Sequence, residues 1–129
     1  MIKSFRELAV YQKAFEHAMR IFEMTKGFPK EERYALTEQI RRSSRSVCTN
    51  IGEAWRKRRY PAHFVSKLTD ADGEATETMI WLDFSLQCAY LDSAVHTELC
   101  SENEQIGKML GSMISAPEKF CYRDRKAVS

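Results

Sequence analysis

A chain of 129 residues, 43% hydrophobic and 29% charged, is the size of one core and too apolar to be disordered. Five Gly and three Pro are too few for an all-β fold with its many turns. The longest apolar runs, such as residues 8–11 and 79–82, have four residues each, so no membrane span and no leader after Met1 are expected, and the expected compartment is the cytoplasm.

Four helical segments are predicted in chain order. Residues 5–26 carry Leu8, Tyr11, Phe15, Ala18, Phe22 and Thr25 at alternating spacings of three and four, the seam of a bundle helix. Gly27-Phe28-Pro29 ends that run. Residues 30–56 open with Glu31 and Glu32, well placed for the positive end of a helix dipole. Their seam is Leu36, Ile40, Ser43/Ser44, Val47, Ile51 and Ala54, with small residues where a neighbouring helix comes close. Residues 61–90 start at a first-turn proline, and Phe64, Leu68, Ala71, Ala75, Thr78, Met79, Leu82, Leu86 and Ala89 form one stripe. Residues 92–116 start at Asp92 as N-cap, with Val95, Leu99, Ile106, Met109/Leu110 and Met113 facing inward. Residues 120–129 read as a polar, fraying tail. With no strand alternation and only short connections, the chain is expected to be all-α, a single-domain antiparallel up-down-up-down four-helix bundle.

The net charge of +2 conceals a sorting of charge. Residues 41–59 hold seven bases (Arg41, Arg42, Arg45, Arg56, Lys57, Arg58, Arg59) and one acid, Glu53. Residues 70–104 hold nine acids and no Lys or Arg. Counted at about 100° per residue from Arg41, the five arginines 41, 42, 45, 56 and 59 fall within about 100° of arc, opposite the seam. Gly52 falls inside the arc, where it permits close approach. Arginine makes planar, bidentate contacts with phosphate and carboxylate, and Trp55 and Tyr60 flank the basic block. Arg41, Arg42, Arg45, Arg56, Lys57, Arg58 and Arg59 are therefore the expected nucleic-acid contacts, made to the phosphate backbone without sharp base readout.

The third segment carries a second stripe off its core face: Asp70, Glu74, Glu77, Trp81, Phe84 and Cys88. Trp81 and Phe84 are excess apolar surface there. Asp70, Glu74, Glu77, Trp81 and Phe84 are the expected oligomer interface, its acids available to a neighbour's arginines. An assembly whose basic and acidic faces pair between subunits is the alternative to polyanion binding.

The cysteines, Cys48, Cys88, Cys100 and Cys121, contain no CxxC pair and read as reduced apolar fillers. His96 and Cys100, four apart, can share a helix face as two metal ligands, but no second close pair completes a structural site, and no metal or cofactor is expected. His17 and His63 read as isolated packed or solvent-edge histidines. No Ser/His/Asp order, glycine-rich phosphate loop or metal cluster marks an enzyme. Glu53 and Glu77 can meet between helices, but carboxylates among arginines read as ion pairs.

The run Gln39-Ile40-Arg41-Arg42-Ser43-Ser44-Arg45-Ser46-Val47-Cys48-Thr49-Asn50-Ile51-Gly52-Glu53 resembles the bacterial four helix bundle protein family. That family includes proteins encoded in intervening sequences of large-subunit ribosomal RNA genes and the accessory variability determinant of diversity-generating retroelements. Phe5-Arg6-Glu7-Leu8, Tyr11-Gln12, Phe28-Pro29, Gly73 with Glu77, and Met109-Leu110 extend the resemblance over nearly the whole chain. Gly52 and Ala54 stand where the family usually has Ala and Gly, and Arg45 where a small or apolar residue is common. The resemblance implies a toroidal homopentamer with a positive surface, and RNA or DNA and reverse-transcriptase binding in the retroelement members. It makes Arg41, Arg42 and the block from Arg56 to Arg59 the contacts, with Asn50 and Glu53 structural.

Overall fold

Ser4 opens the first turn, the 3-10 segment Phe5–Glu7: its hydroxyl accepts from the Arg6 N–H, and the Glu7 carboxylate accepts from the Ser4 N–H (2.8 Å). Then follow α1 (Ala9–Thr25), α2 (Glu38–Arg56), α3 (Pro61–Gln87) and α4 (Ser93–Ser115). This computed structural model describes residues 1–123. Among them there is no strand, and the four α-helices form an antiparallel bundle in which each packs on the next and α4 closes against α1. No helix among the described residues is long and apolar enough to cross a membrane.

The helix starts follow their capping chemistry. Pro61 occupies the first turn of α3, and Asp92 Oδ1 accepts from the Val95 N–H (2.8 Å) at the start of α4. Residues 30–37 differ from the single α-helix expected. They form a 3-10 turn, Lys30–Glu32, and a π-helical turn, Arg33–Thr37, before α2 begins. Between α3 and α4 the chain reverses at Ala89, which takes a left-handed φ of 62°, and the Tyr90 N–H bonds the Ser85 carbonyl (2.9 Å). Gly27, expected to serve such a role after α1, has no positive φ.

The core divides into two clusters. The larger gathers Leu8, Ala14, Val47, Ile51, Phe64, Leu68, Ile106 and Leu110 among others; the smaller is Ile21, Ile40, Leu82 and Leu99. A buried polar layer of Ser43, Ser44, Thr78 and Asn103 lies between them in sequence on every helix that contributes to it. Each polar group is satisfied: Ser43 Oγ and Thr78 Oγ1 share a hydrogen bond (2.8 Å), Ser44 donates to the Arg41 carbonyl (3.1 Å), and Asn103 Nδ2 donates to the Ala75 carbonyl (3.1 Å). The small side chains let α2 and α3 approach closely, as their spacing in the α2 seam predicts.

The inward face of α1 differs from the seam expected. Val10, Ala14, His17, Ala18, Ile21 and Thr25 are buried, whereas Phe15 is 51% exposed and Tyr11 and Phe22 are only half-buried. Ala14 and Ala18 admit the neighbouring helices where a row of aromatic rings does not fit. The rings instead lie along the flank of α1, with Phe5 edge-on to Tyr11 (5.0 Å between centroids) and Tyr11 beside Phe15 (6.1 Å).

His17 Nε2 lies 2.9 Å from the Leu99 carbonyl, so the buried ring is a neutral donor that ties α1 to α4. Burial lowers its pKa below the ordinary 6.5, against the opposing pull of that bond and of Glu102. As the pH falls, the unfolded chain binds this proton first. The stabilisation from neutral His17 is therefore complete above about pH 6.5 and is lost as the pH drops below it. His17→Gln is expected to flatten the slope of unfolding free energy against pH below 6.5, measured by urea denaturation at stepped pH. An unchanged slope overturns this assignment.

The expected tail is in part a piece of the core. Phe120 stacks near Phe64 (6.0 Å between centroids), Cys121 packs on the larger cluster, and the Tyr122 N–H donates to the Arg58 carbonyl (3.2 Å). Phe120 is apolar and follows Pro117 by three residues, so a short 3-10 turn, Pro117–Lys119, folds it back onto the bundle. Residues 124–129 of that expected tail lie outside the described residues.

Candidate nucleic-acid interface

The outward face of α2 and the π-helical turn before it form an open groove of about 620 Å³. Arg33, Tyr34, Glu38, Arg41, Arg42 and Arg45 line it, with Thr37, Ser46 and Thr49. Arg33 and Tyr34 were not among the expected contacts. On a regular helix Arg33 falls at about 280° from Arg41, within the seam; the π-helical turn carries one extra residue and rotates it by about 100° toward the arginine arc. Tyr34 is 77% exposed, with the Arg33 guanidinium 5.4 Å from its ring centroid.

Three arginines of the groove carry no ion pair among the described residues: Arg33, Arg41 and Arg45. Arg41 is held rigidly. Its Nε donates to Thr25 Oγ1 (2.7 Å), and its guanidinium stacks on Phe22 (4.7 Å). Arg45 approaches the same ring at 5.5 Å. The α1 aromatic flank thus supplies a surface that presents α2 cations in fixed positions.

Arg42 is engaged within the chain. Its guanidinium bridges Glu77 and Glu74 (3.3 Å to the latter) on α3, which runs antiparallel alongside. Burial pushes the Glu74 carboxyl up, and neighbouring Glu77 pushes the same way, while Arg42 pulls it down. Glu74 and Glu77, expected at an oligomer interface, are engaged here by this chain's own Arg42. Glu53 likewise pairs with Lys67 on α3 (2.6 Å), so Glu53 and Glu77 belong to two separate ion pairs. Asn50 Nδ2 donates to the Ser46 carbonyl (2.9 Å), a structural role.

Helix α2 continues through Gly52 to Arg56, and Lys57, Arg58 and Arg59 lie in the turn beyond it. The close approach expected at Gly52 is made by Phe5, whose ring would meet an added Cβ at 3.7 Å, an ordinary contact. Gly52→Ala is expected to stabilise the chain by about 0.5–1 kcal/mol, because it removes a mid-helix glycine without a clash. Chemical denaturation checks this; a loss of stability would mean that Phe5 has no room to give. Arg6 stacks on the Phe5 ring (4.7 Å), adding a cation next to the α2 face.

In the basic block, Arg56, Lys57 and Arg59 are exposed. Arg58 differs: it lies 3.4 Å over the buried Trp55 ring, donates to the Trp55 carbonyl (2.7 Å) and bonds Tyr122 Oη (2.9 Å). Arg58 thus fastens the C-terminal segment to the bundle. Trp55 is consumed by this packing, and Tyr60 remains exposed beside His63.

On α3, Asp70 is exposed, 3.8 Å from Lys67. Trp81 packs partly against the smaller core cluster, and Phe84 is 53% exposed. The two rings flank an apolar cleft of about 260 Å³ with Ala35, Leu36 and Cys88. The buried Trp81 Nε1 has no hydrogen-bond partner among the described residues.

At the α3–α4 end, Asp83 joins His96 and Cys100, giving the pair seen in the sequence a third donor. Asp83 was not legible as a partner because the helical hairpin, not spacing along one helix, places it there.

Comparison with known proteins bears on this arrangement. The model of the 23S rRNA-intervening sequence protein family matches residues 6–112. The chain is similar to a solved structure from Bacteroides thetaiotaomicron described as a protein of unknown function from the S23 ribosomal protein family. The two are 32% identical, with a TM-score of 0.74, over 82% of this chain and 95% of that one. No curated protein matches.

Proposed function

The chain belongs to the 23S rRNA-intervening sequence protein family, and on that footing we propose that it binds RNA phosphates non-catalytically through the α2 groove. One observation carries the reading: Arg33, Arg41 and Arg45 converge on a single groove, unpaired among the described residues, beside an exposed tyrosine. Guanidinium groups fixed against Phe22 lose little freedom on meeting phosphate, and Tyr34 offers a face on which an unpaired base stacks. Arg56, at the end of α2, and the exposed Lys57 and Arg59 in the turn beyond it offer further cations to a longer strand.

Fluorescence anisotropy of a labelled single-stranded RNA across a salt series tests this. A strand that fills the groove alone neutralises three phosphates and gives a log K against log salt slope of about −2; one that also reaches Arg56, Lys57 and Arg59 gives about −4. Absence of binding at low salt, or binding indifferent to salt, overturns the reading.

A second reading concerns assembly. The Trp81–Phe84 cleft supports self-association into a ring, and the pentamer that the family resemblance implies is the proposed state. Apolar packing carries this association better than charge pairing does, since Glu74 and Glu77 already serve Arg42. Phe84→Glu is expected to yield monomers in sedimentation while high salt leaves the native assembly intact. Dissociation by salt alone would favour pairing between basic and acidic faces.

A further inference from the structure

We propose that Asp83, His96 and Cys100 bind one divalent transition-metal ion of the zinc type at the α3–α4 end of the bundle. His96 and Cys100 lie one helical turn apart on α4, so both project from one face. The reversal at Ala89 folds α3 back and brings Asp83 to the same point. His96 Nε2 is 2.8 Å from Asp83 Oδ1 and 3.4 Å from Cys100 Sγ, and the three donor atoms all lie within 4.8 Å of one another. Ligands on a tetrahedral zinc ion are about 3.3–3.6 Å apart, given metal–ligand bonds of about 2.0–2.3 Å. Small side-chain shifts, led by the exposed Asp83, convert the present cluster into that geometry.

The chemistry of the donor set is selective. Thiolate, imidazole and carboxylate together suit zinc and its neighbours in the first transition row rather than calcium or magnesium. Two anionic ligands and one neutral ligand cancel the charge of a dication. Burial pushes the Cys100 thiol up, and the carboxylates of Asp83 and Glu104 push it further. The metal-free thiol therefore keeps its proton at neutral pH, and metal binding releases that proton to solvent as the Cys100 Sγ–metal bond forms. Three protein ligands leave one tetrahedral position for water. The RNA groove uses none of these residues.

Cobalt titration of the full reduced chain, freed of metal by a chelator, tests the site. A thiolate-to-cobalt charge-transfer band is expected to rise and saturate at one ion per chain, and zinc is expected to displace it. Cys100→Ser is expected to abolish the band, and His96→Gln and Asp83→Asn to weaken binding by more than about tenfold. Cys88→Ser is expected to leave the cobalt band unchanged, and circular dichroism of each variant reports its helical content. A native chain without the band, a band that survives Cys100→Ser, or affinity indifferent to His96→Gln would show that these side chains form only a hydrogen-bonded surface cluster, and would overturn the proposal.

Discussion

Arg33→Glu combined with Arg45→Glu is expected to weaken RNA binding by about 10- to 100-fold and to reduce the salt slope by about 1–2. Each residue lines the groove, neither forms an ion pair among the described residues, and neither donates a hydrogen bond there. Reversal therefore removes two cations and adds two repelling anions with little loss of structure. Arg42→Glu is a different experiment. It places a third carboxylate beside Glu74 and Glu77 and releases the tie between α2 and α3, so its first effect falls on folding. Anisotropy with the same RNA, on the double variant with helical content confirmed, decides the matter. Native-like affinity in that variant would sink the groove as the binding surface.

Phe64→Ala is expected to cost about 3–5 kcal/mol, a large share of the roughly 5–15 kcal/mol that holds a domain of this size. Phe64 has no exposed surface and belongs to the larger core cluster. It also receives Phe120, so truncation opens a cavity and undermines the C-terminal segment that Arg58 and Tyr122 fasten. Urea denaturation is expected to show a lower midpoint. A loss below about 1 kcal/mol would mean that neighbouring side chains collapse into the space.

The fold was legible because it rests on periodicity and caps, both local properties. The α2 seam is buried as its spacing predicts, and Pro61 and Asp92 start their helices where their chemistry indicates. The α1 face was harder to read. Val10, Ala14 and Ile21 compete with Tyr11, Phe15 and Phe22 one residue along, and hydrophobicity alone favours the larger rings. Only the room between helices decides for the smaller side chains, and that is a property of the assembled bundle. The site was legible for the arginines on α2 because a regular helix projects them by arithmetic. Arg33 escaped because the π-helical turn resets that arithmetic, whereas Tyr34, at about 20° on a regular helix, falls inside the arc and escaped because it carries no charge. The partners of Arg42, Glu53 and His96 come from the neighbouring helix or across the α3–α4 reversal, where no spacing rule reaches.

Arg45 and Arg56 are two anchor points about 16 Å apart along a stiff rod, and Phe5, which carries the Arg6 guanidinium on its ring, packs at Gly52 between them. On the proposed reading, a short oligonucleotide is expected to engage one anchor at a time. A strand long enough to bridge both is expected to bind the second at high effective concentration, so that measured affinity steps upward at a threshold length rather than climbing evenly with each added nucleotide.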